Sequence, residues 1–174
     1  MDAGPTRARP RWESWAAAVF PVVLVLPLLT EADHIDHALS LCTAKHRLDH
    51  PLCFFDYTIN WTGVDGKAYL IIKNPPLSMY YLALAGVVFG FAEPLIHSAF
   101  LLPAALVGFG TYRVATRFCS QPLFASFAAV LTPAVLISAS NVMSTITMLA
   151  FYVLALDLWL TGIERGRLGY LFLA

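Results

Sequence analysis

Charged side chains are scarce in this chain: 13% of its 174 residues are Asp, Glu, Lys or Arg, about half the share usual in a soluble domain. With 59% hydrophobic residues and a mean hydropathy of +0.69, that scarcity excludes an ordinary soluble enzyme and makes the bilayer the expected solvent. Eleven basic residues balance eleven acidic ones, which leaves neither a basic footprint for nucleic acid nor an acidic tail. Cysteine is rare as well. Three are too few for a disulfide scaffold, although the spacing leaves a Cys42–Cys53 bridge open in an oxidising compartment. A signal-peptidase site is also missing. Arg7, Arg9 and Arg11 precede an apolar run as in a secretory signal, but Pro27-Leu28-Leu29-Thr30-Glu31 follows with no Ala-x-Ala, so the run reads as an uncleaved first span with a cytoplasmic amino terminus.

Charge is absent altogether from four windows: Ser14–Thr30, Asn74–Ala92, Pro94–Tyr112 and Phe118–Leu156. Each of the first three is about one bilayer long. The fourth is about twice that length at roughly 1.5 Å per residue, so it must turn back, and Ser138, Ser140, Asn141, Ser144 and Thr145 mark the turn. The expected spans are Trp15–Thr30, Pro94–Tyr112, Pro122–Ser140 and Thr145–Gly162. If Pro75–Phe89 lies along the outer interface, the inner loops collect Arg7, Arg9, Arg11, Arg113, Arg117, Arg165 and Arg167, as the positive-inside rule asks. A mirror topology, in which Asn74–Ala92 spans, counts equally well; the Arg-rich amino-terminal flank speaks for the first. The expected fold is therefore an all-α, multi-pass membrane bundle forming a single transmembrane domain over residues 1–174, with a long external loop over 31–93 that carries interfacial helices. Leu168–Ala174 resembles the start of a further helix, which suggests the amino-terminal part of a longer protein.

Six of the eleven acidic residues and four of the five histidines fall between Glu31 and Lys73, so polar chemistry is concentrated in that loop. Thr30 is a candidate N-cap, and Asp33 and Asp36, three apart, share a face of the helix that would follow. Carboxylates at a membrane surface can serve as general base toward a hydroxyl; their plain reading is a solvated helix start. His34 and His37, and His46 and His50, have spacings that can place two imidazoles on one metal, or simply meet water. Asp65-Gly66 reads as a turn and the apolar residues after it as a short extended piece. Lys73-Asn74-Pro75-Pro76 then opens a helix with Asn74 as cap, where free N–H groups and one cation suit a phosphate; the plain reading of Lys73 is snorkelling. Asn60-Trp61-Thr62 fits a glycosylation sequon of low specificity. Asp157 reads as an interfacial carboxylate in reach of water or Arg165.

The order of these parts resembles the amino-terminal region of polyprenyl-phosphate-sugar-dependent membrane glycosyltransferases of the protein-O-mannosyltransferase and aminoarabinose-transferase type. The likeness runs from about Val19 to Ala174, through the acidic motif, the Pro75-Pro76-Leu77 segment, Val88-Phe89-Gly90, Ala99–Ala104, Gly110–Ala115 and Asn141–Thr145. It implies transfer of a sugar from a polyprenyl-phosphate donor to a protein, lipid or glycan acceptor outside the cytoplasm of a bacterial inner membrane. By position it implies Asp33 first, and Asp36 second, as the carboxylate that activates or orients the acceptor, with Lys73, Asn74, Pro75 and Pro76 bordering the lipid phosphate. A divalent metal ion is the one cofactor left open, and this part of the enzyme is not expected to catalyse alone. Three departures from the family pattern stand out: His34 or His37 follows the aspartate where Glu is common, Asn74 replaces Lys or His, and Thr145 stands where an acid is common. The competing reading is a small structural or transport subunit that binds metal through His34, His37, His46 and His50.

Overall fold

The computed structural model describes residues 9–29, 35–53, 55–61 and 63–174, and nearly all regular structure in them is helical. Three stretches are long and apolar enough to cross a membrane: Arg11–Leu28, Glu93–Phe118 and Ser144–Arg165. The first is α1 (Arg11–Val25) extended by a tighter 3-10 turn, Leu26–Leu28. The expected cap Thr30 lies outside the described residues.

Ahead of the second stretch comes a compact cap. It begins with α2 (Ile35–Asp49), then a hairpin of β1 (Thr58–Asn60) and β2 (Asp65–Lys67), then the single turn α3 (Ala68–Ile71) and α4 (Pro76–Phe89). Two local expectations change here. Asp65 and Gly66 are strand residues paired with Asn60 and Ile59, and the chain reverses before them, where Gly63 takes φ +86°. The following Ala68–Ile71 is helical rather than extended, because Ala68 N–H still bonds Tyr57 O and Ile72 N–H then closes a turn onto Ala68 O. At α4 the capping position is Pro75, with Pro76 at the first helical residue. Asn74 is not the cap, and Ser78 Oγ donates to Pro75 O instead. At 14 residues α4 is about 21 Å long, short of the ~30 Å hydrocarbon core.

The second stretch is α5 (Glu93–Ala99) running into α6 (Leu101–Phe118), the central helix, which packs on α1 and on α9 (Ser144–Arg165). Both contacts depend on missing side chains. A Cβ at Gly108 would stand 2.1 Å from Ala17 O, and one at Gly110 would stand 2.7 Å from Val153 Cγ2. Small residues thus let α6 approach one neighbour on each side, as in membrane bundles generally. Ser126 Oγ, fully buried on α7, ties α7 to α6 by donating to Gly108 O at 2.8 Å.

The expected single helix Pro122–Ser140 is two helices, α7 (Pro122–Val130) and α8 (Pro133–Ser140), bent by 63°. Pro133 is the cause. It has no N–H to continue the ladder and holds Thr132 in an extended conformation (φ −64°, ψ 137°). A final short helix, α10 (Leu168–Leu173), folds back on α9 after Gly166 in the left-handed region. The core runs from Val25 at the end of α1, through Ala44 and Leu82 of the cap, to Ile96, Phe100 and Ile146 at the starts of the long helices. It seats the cap on one end of the bundle. The arginines of α6 and α9 lie at the other end.

Candidate functional site

The cap places its polar residues through one helix face. Along α2 the buried positions are His37, Ser40, Thr43, Ala44 and Arg47, spaced as one stripe of a 3.6-residue helix and turned toward α4. A helix that buries polar groups must satisfy them locally. Thr43 Oγ1 spends its one proton on Leu39 O at 2.7 Å, so the 2.6 Å contact with Tyr57 is donated by the phenol. Arg47 is only 2% exposed, its guanidinium 5.0 and 5.1 Å from the rings of Phe55 and Tyr80, and Tyr80 OH donates to Pro51 O. Burial lowers the Arg47 pKa and raises that of Tyr57.

His37 meets a histidine from a different element. Its ring packs edge-on against His97 of α5 with centroids 5.4 Å apart, and His97 Nδ1–H donates to Ser140 O at 3.1 Å. Burial first, and repulsion by His97 second, push His37 down to about 4, so it is neutral at neutral pH. His46 stacks at 5.0 Å on His50 and 4.5 Å on Tyr57. His37 and His46 stand nine residues apart on α2, about 13 Å along its axis, so they do not converge on one ion. His34 lies outside the described residues, and among the described residues no group of three His, Cys, Asp or Glu side chains is arranged to hold a metal. Cys42 and Cys53 are separate, exposed thiols.

Of the residues expected to carry chemistry, Asp33 lies outside the described residues and Asp36 is the second residue of α2. Lys73 and Asn74 are exposed at the mouth of α4, with Lys73 Nζ donating to Tyr69 O at 3.2 Å. A cleft of about 330 Å³ joins them to two distant segments: Leu39 and Ser40 of α2, and Ser144 and Thr145 at the start of α9. Ser40 is one helical turn beyond Asp36. Pro75 and Pro76, at the start of α4, do not line the cleft.

Two clusters escape a reading of the sequence in single segments. His97, the lone histidine of the window Pro94–Tyr112, is one. The other is at the far end of the bundle, where Asp157 is 7% exposed and pairs not with Arg165 but with α6. Arg117 Nη1 reaches Asp157 Oδ1 at 2.6 Å, Arg113 Nη2 reaches Oδ2 at 3.2 Å, and Arg117 also binds Glu164 at 2.8 Å and Thr161 at 2.7 Å. The signal for this cluster was Arg113 and Arg117 four apart on one helix and Asp157, Thr161 and Glu164 at i, i+4, i+7 on another. Compared with known proteins, the chain matches no family model, no curated protein and no solved structure.

Proposed function

We propose that this chain takes part in transferring a sugar from a polyprenyl-phosphate carrier to an acceptor outside the cytoplasm, with Asp33 or Asp36 as the acceptor-activating carboxylate. The observation that supports this reading is the cleft beneath the cap, where α2 just past Asp36, the Lys73–Asn74 segment and the Ser144–Thr145 turn adjoin although they are distant in sequence. They adjoin the acidic motif, the Pro75-Pro76-Leu77 segment and the Asn141–Thr145 segment, three of those that carry the resemblance to polyprenyl-phosphate-sugar glycosyltransferases. A cation beside an apolar wall at a helix start suits a lipid phosphate, because the tail stays in hydrocarbon while the phosphate is neutralised where the acceptor arrives. Orientation follows from charge: Arg9, Arg11, Arg113, Arg117, Arg165 and Arg167 lie at the end away from the cap, which the positive-inside rule assigns to the cytoplasm. The cap then faces outward.

The test uses membranes carrying the complete reading frame, supplied with a radiolabelled polyprenyl-phosphate sugar. Asp33→Asn or Asp36→Asn is expected to abolish label transfer, and Lys73→Ala to raise the donor KM about tenfold, one charge-assisted phosphate contact. Transfer undiminished in both aspartate variants, or cysteine labelling that reaches position 33 only from the cytosol, overturns the reading.

A further inference from the structure

A second cavity lies not under the cap but at the opposite, arginine-rich end. It is a cleft of about 790 Å³ between α1, the end of α6 and the end of α9. Five guanidiniums line it: Arg9, Arg11, Arg113, Arg117 and Arg165. The carboxylates within reach of these arginines are Glu13, Asp157 and Glu164, so among the described residues the cleft carries an excess of two positive charges. Deeper along the α1–α6 groove the lining turns apolar, through Trp15, Ala18, Leu106 and Phe109.

Four of the five arginines, Arg9, Arg113, Arg117 and Arg165, are held by protein partners rather than trailing in solvent. Asp157 clamps Arg117 and one edge of Arg113, whose side chain stays 43% exposed. Arg9 donates to Ser120 O at 2.9 Å, and Arg165 lies 5.6 Å from the Tyr170 ring centroid with Nη1 donating to its hydroxyl at 3.2 Å. The ion pairs with Glu13, Asp157 and Glu164 leave a surplus of positive charge around the cavity. Guanidiniums preset by protein partners lose little entropy on taking a phosphate, and two or more of them can share its oxygens.

We infer that this cleft binds an anionic phospholipid, its phosphate on Arg11, Arg113 and Arg165 and an acyl chain along Trp15, Ala18, Leu106 and Phe109. A free phosphate offers the same head chemistry but leaves the apolar lane unfilled, which is why the lipid is the occupant argued for. The site is independent of the sugar-transfer reading: it lies at the other end of the bundle and shares no residue with the cleft beneath the cap.

Native mass spectrometry of the purified chain, released from detergent with phosphatidylglycerol or phosphatidylcholine, tests it. Phosphatidylglycerol is expected to stay bound one to one and at least tenfold more strongly than phosphatidylcholine, as one or two charge-assisted contacts imply. Arg11→Gln/Arg165→Gln, which leaves the Asp157 cluster intact, is expected to erase that preference with unchanged helicity by circular dichroism. Ala18→Phe is expected to weaken the bound lipid by obstructing the lane without touching a charge. Equal retention of both lipids, an undiminished preference in the double variant, or displacement of the lipid by millimolar inorganic phosphate overturns the inference, the last outcome assigning the arginines to a soluble anion.

Discussion

Replacing Gly108 by Ala adds one methyl group and should be among the most damaging small changes in the bundle. The reason begins at Pro21, inside α1. Having no N–H, Pro21 leaves the carbonyl of Ala17, four residues earlier, without its intrahelical partner. That oxygen faces Gly108 on α6, and the Gly108 hydrogen standing where a side chain would begin points at it. A Cβ placed there sits 2.1 Å from Ala17 O and 3.0 Å from Pro21 Cγ, so α1 and α6 must part by about an ångström, near a proper van der Waals separation. Overpacking of this kind costs about 1–3 kcal/mol, and loss of the neighbouring Ser126–Gly108 hydrogen bond adds about 1 kcal/mol. Against this, Ala gains about 0.8–1.0 kcal/mol in helix propensity over Gly. A net loss of about 1–3 kcal/mol remains. The assay is reversible unfolding in mixed micelles with rising SDS fraction, followed by circular dichroism. Gly169→Ala on α10 is the control, since a Cβ there meets nothing within 4 Å. The clashing atom belongs to the backbone, so Ala17→Gly should not rescue. Equal midpoints for Gly108→Ala and Gly169→Ala, or full rescue by Ala17→Gly, would refute the reasoning.

Two further perturbations have a signed outcome. His37 is held neutral to about pH 4 against 6.5 in the unfolded chain, so between those values the unfolded state binds the extra proton. Stability is complete above pH 6.5 and falls by up to about 3 kcal/mol as pH drops to 4; His37→Gln should flatten that part of the profile, and an unchanged profile rules the histidine out. At the other end, Asp157→Asn takes the shared carboxylate from Arg113 and Arg117, leaving Arg117 with Glu164 and Thr161, and should cost about 1.5–3 kcal/mol, whereas Glu164→Gln, at a carboxylate 53% exposed, should cost under about 1 kcal/mol. The same SDS titration compares the two, and similar losses would mean that Asp157 is solvated rather than enclosed.

Much of the fold is legible from missing charge alone. Each helix long and apolar enough to cross a membrane overlaps a window in which no Asp, Glu, Lys or Arg occurs, because a charge in hydrocarbon is expensive. Proline marked two helix starts correctly, at Pro76 and Pro122, since its missing N–H costs nothing at a first turn. The same chemistry at Pro133 divides an apolar stretch whose hydropathy shows no break. What single segments cannot reveal is who packs on whom. Arg47 reads as one more loop cation until Tyr80, thirty-three residues later, closes over it. His37 and His46 look like parts of one metal set until α5 brings His97 to the first and the hairpin brings Tyr57 to the second. In the candidate cleft, Lys73 and Asn74 stood out by motif, whereas Leu39 and Ser40 carry no motif and join only because α2 packs on α4.

The direction of the chain decides how the bent pair α7–α8 should be regarded. Helix α6 runs away from the cap, for Phe100 and Ala104 lie in the core beside it while Arg113 and Arg117 end at the arginine cluster. Helix α9 runs the same way, from Ile146 in that core to Asp157 and Glu164 in the same cluster. Two parallel neighbours need a connection that returns the full length of the bundle. The α7–α8 pair supplies it: Pro122 starts beside Arg9 and Glu13 at the arginine end, and Ser140 finishes against His97 under the cap. A re-entrant loop would bring the chain back to the end it left and could not deliver Ser144 to the cap. The bent pair therefore runs the length of the bundle once, broken at Pro133, and the residues of the bend, Leu131, Thr132, Pro133 and Ala134, are all exposed. Past the break, Ser140 O accepts from His97 under the cap, and the Ser144–Thr145 turn lines the candidate cleft together with Leu39 and Ser40 of α2.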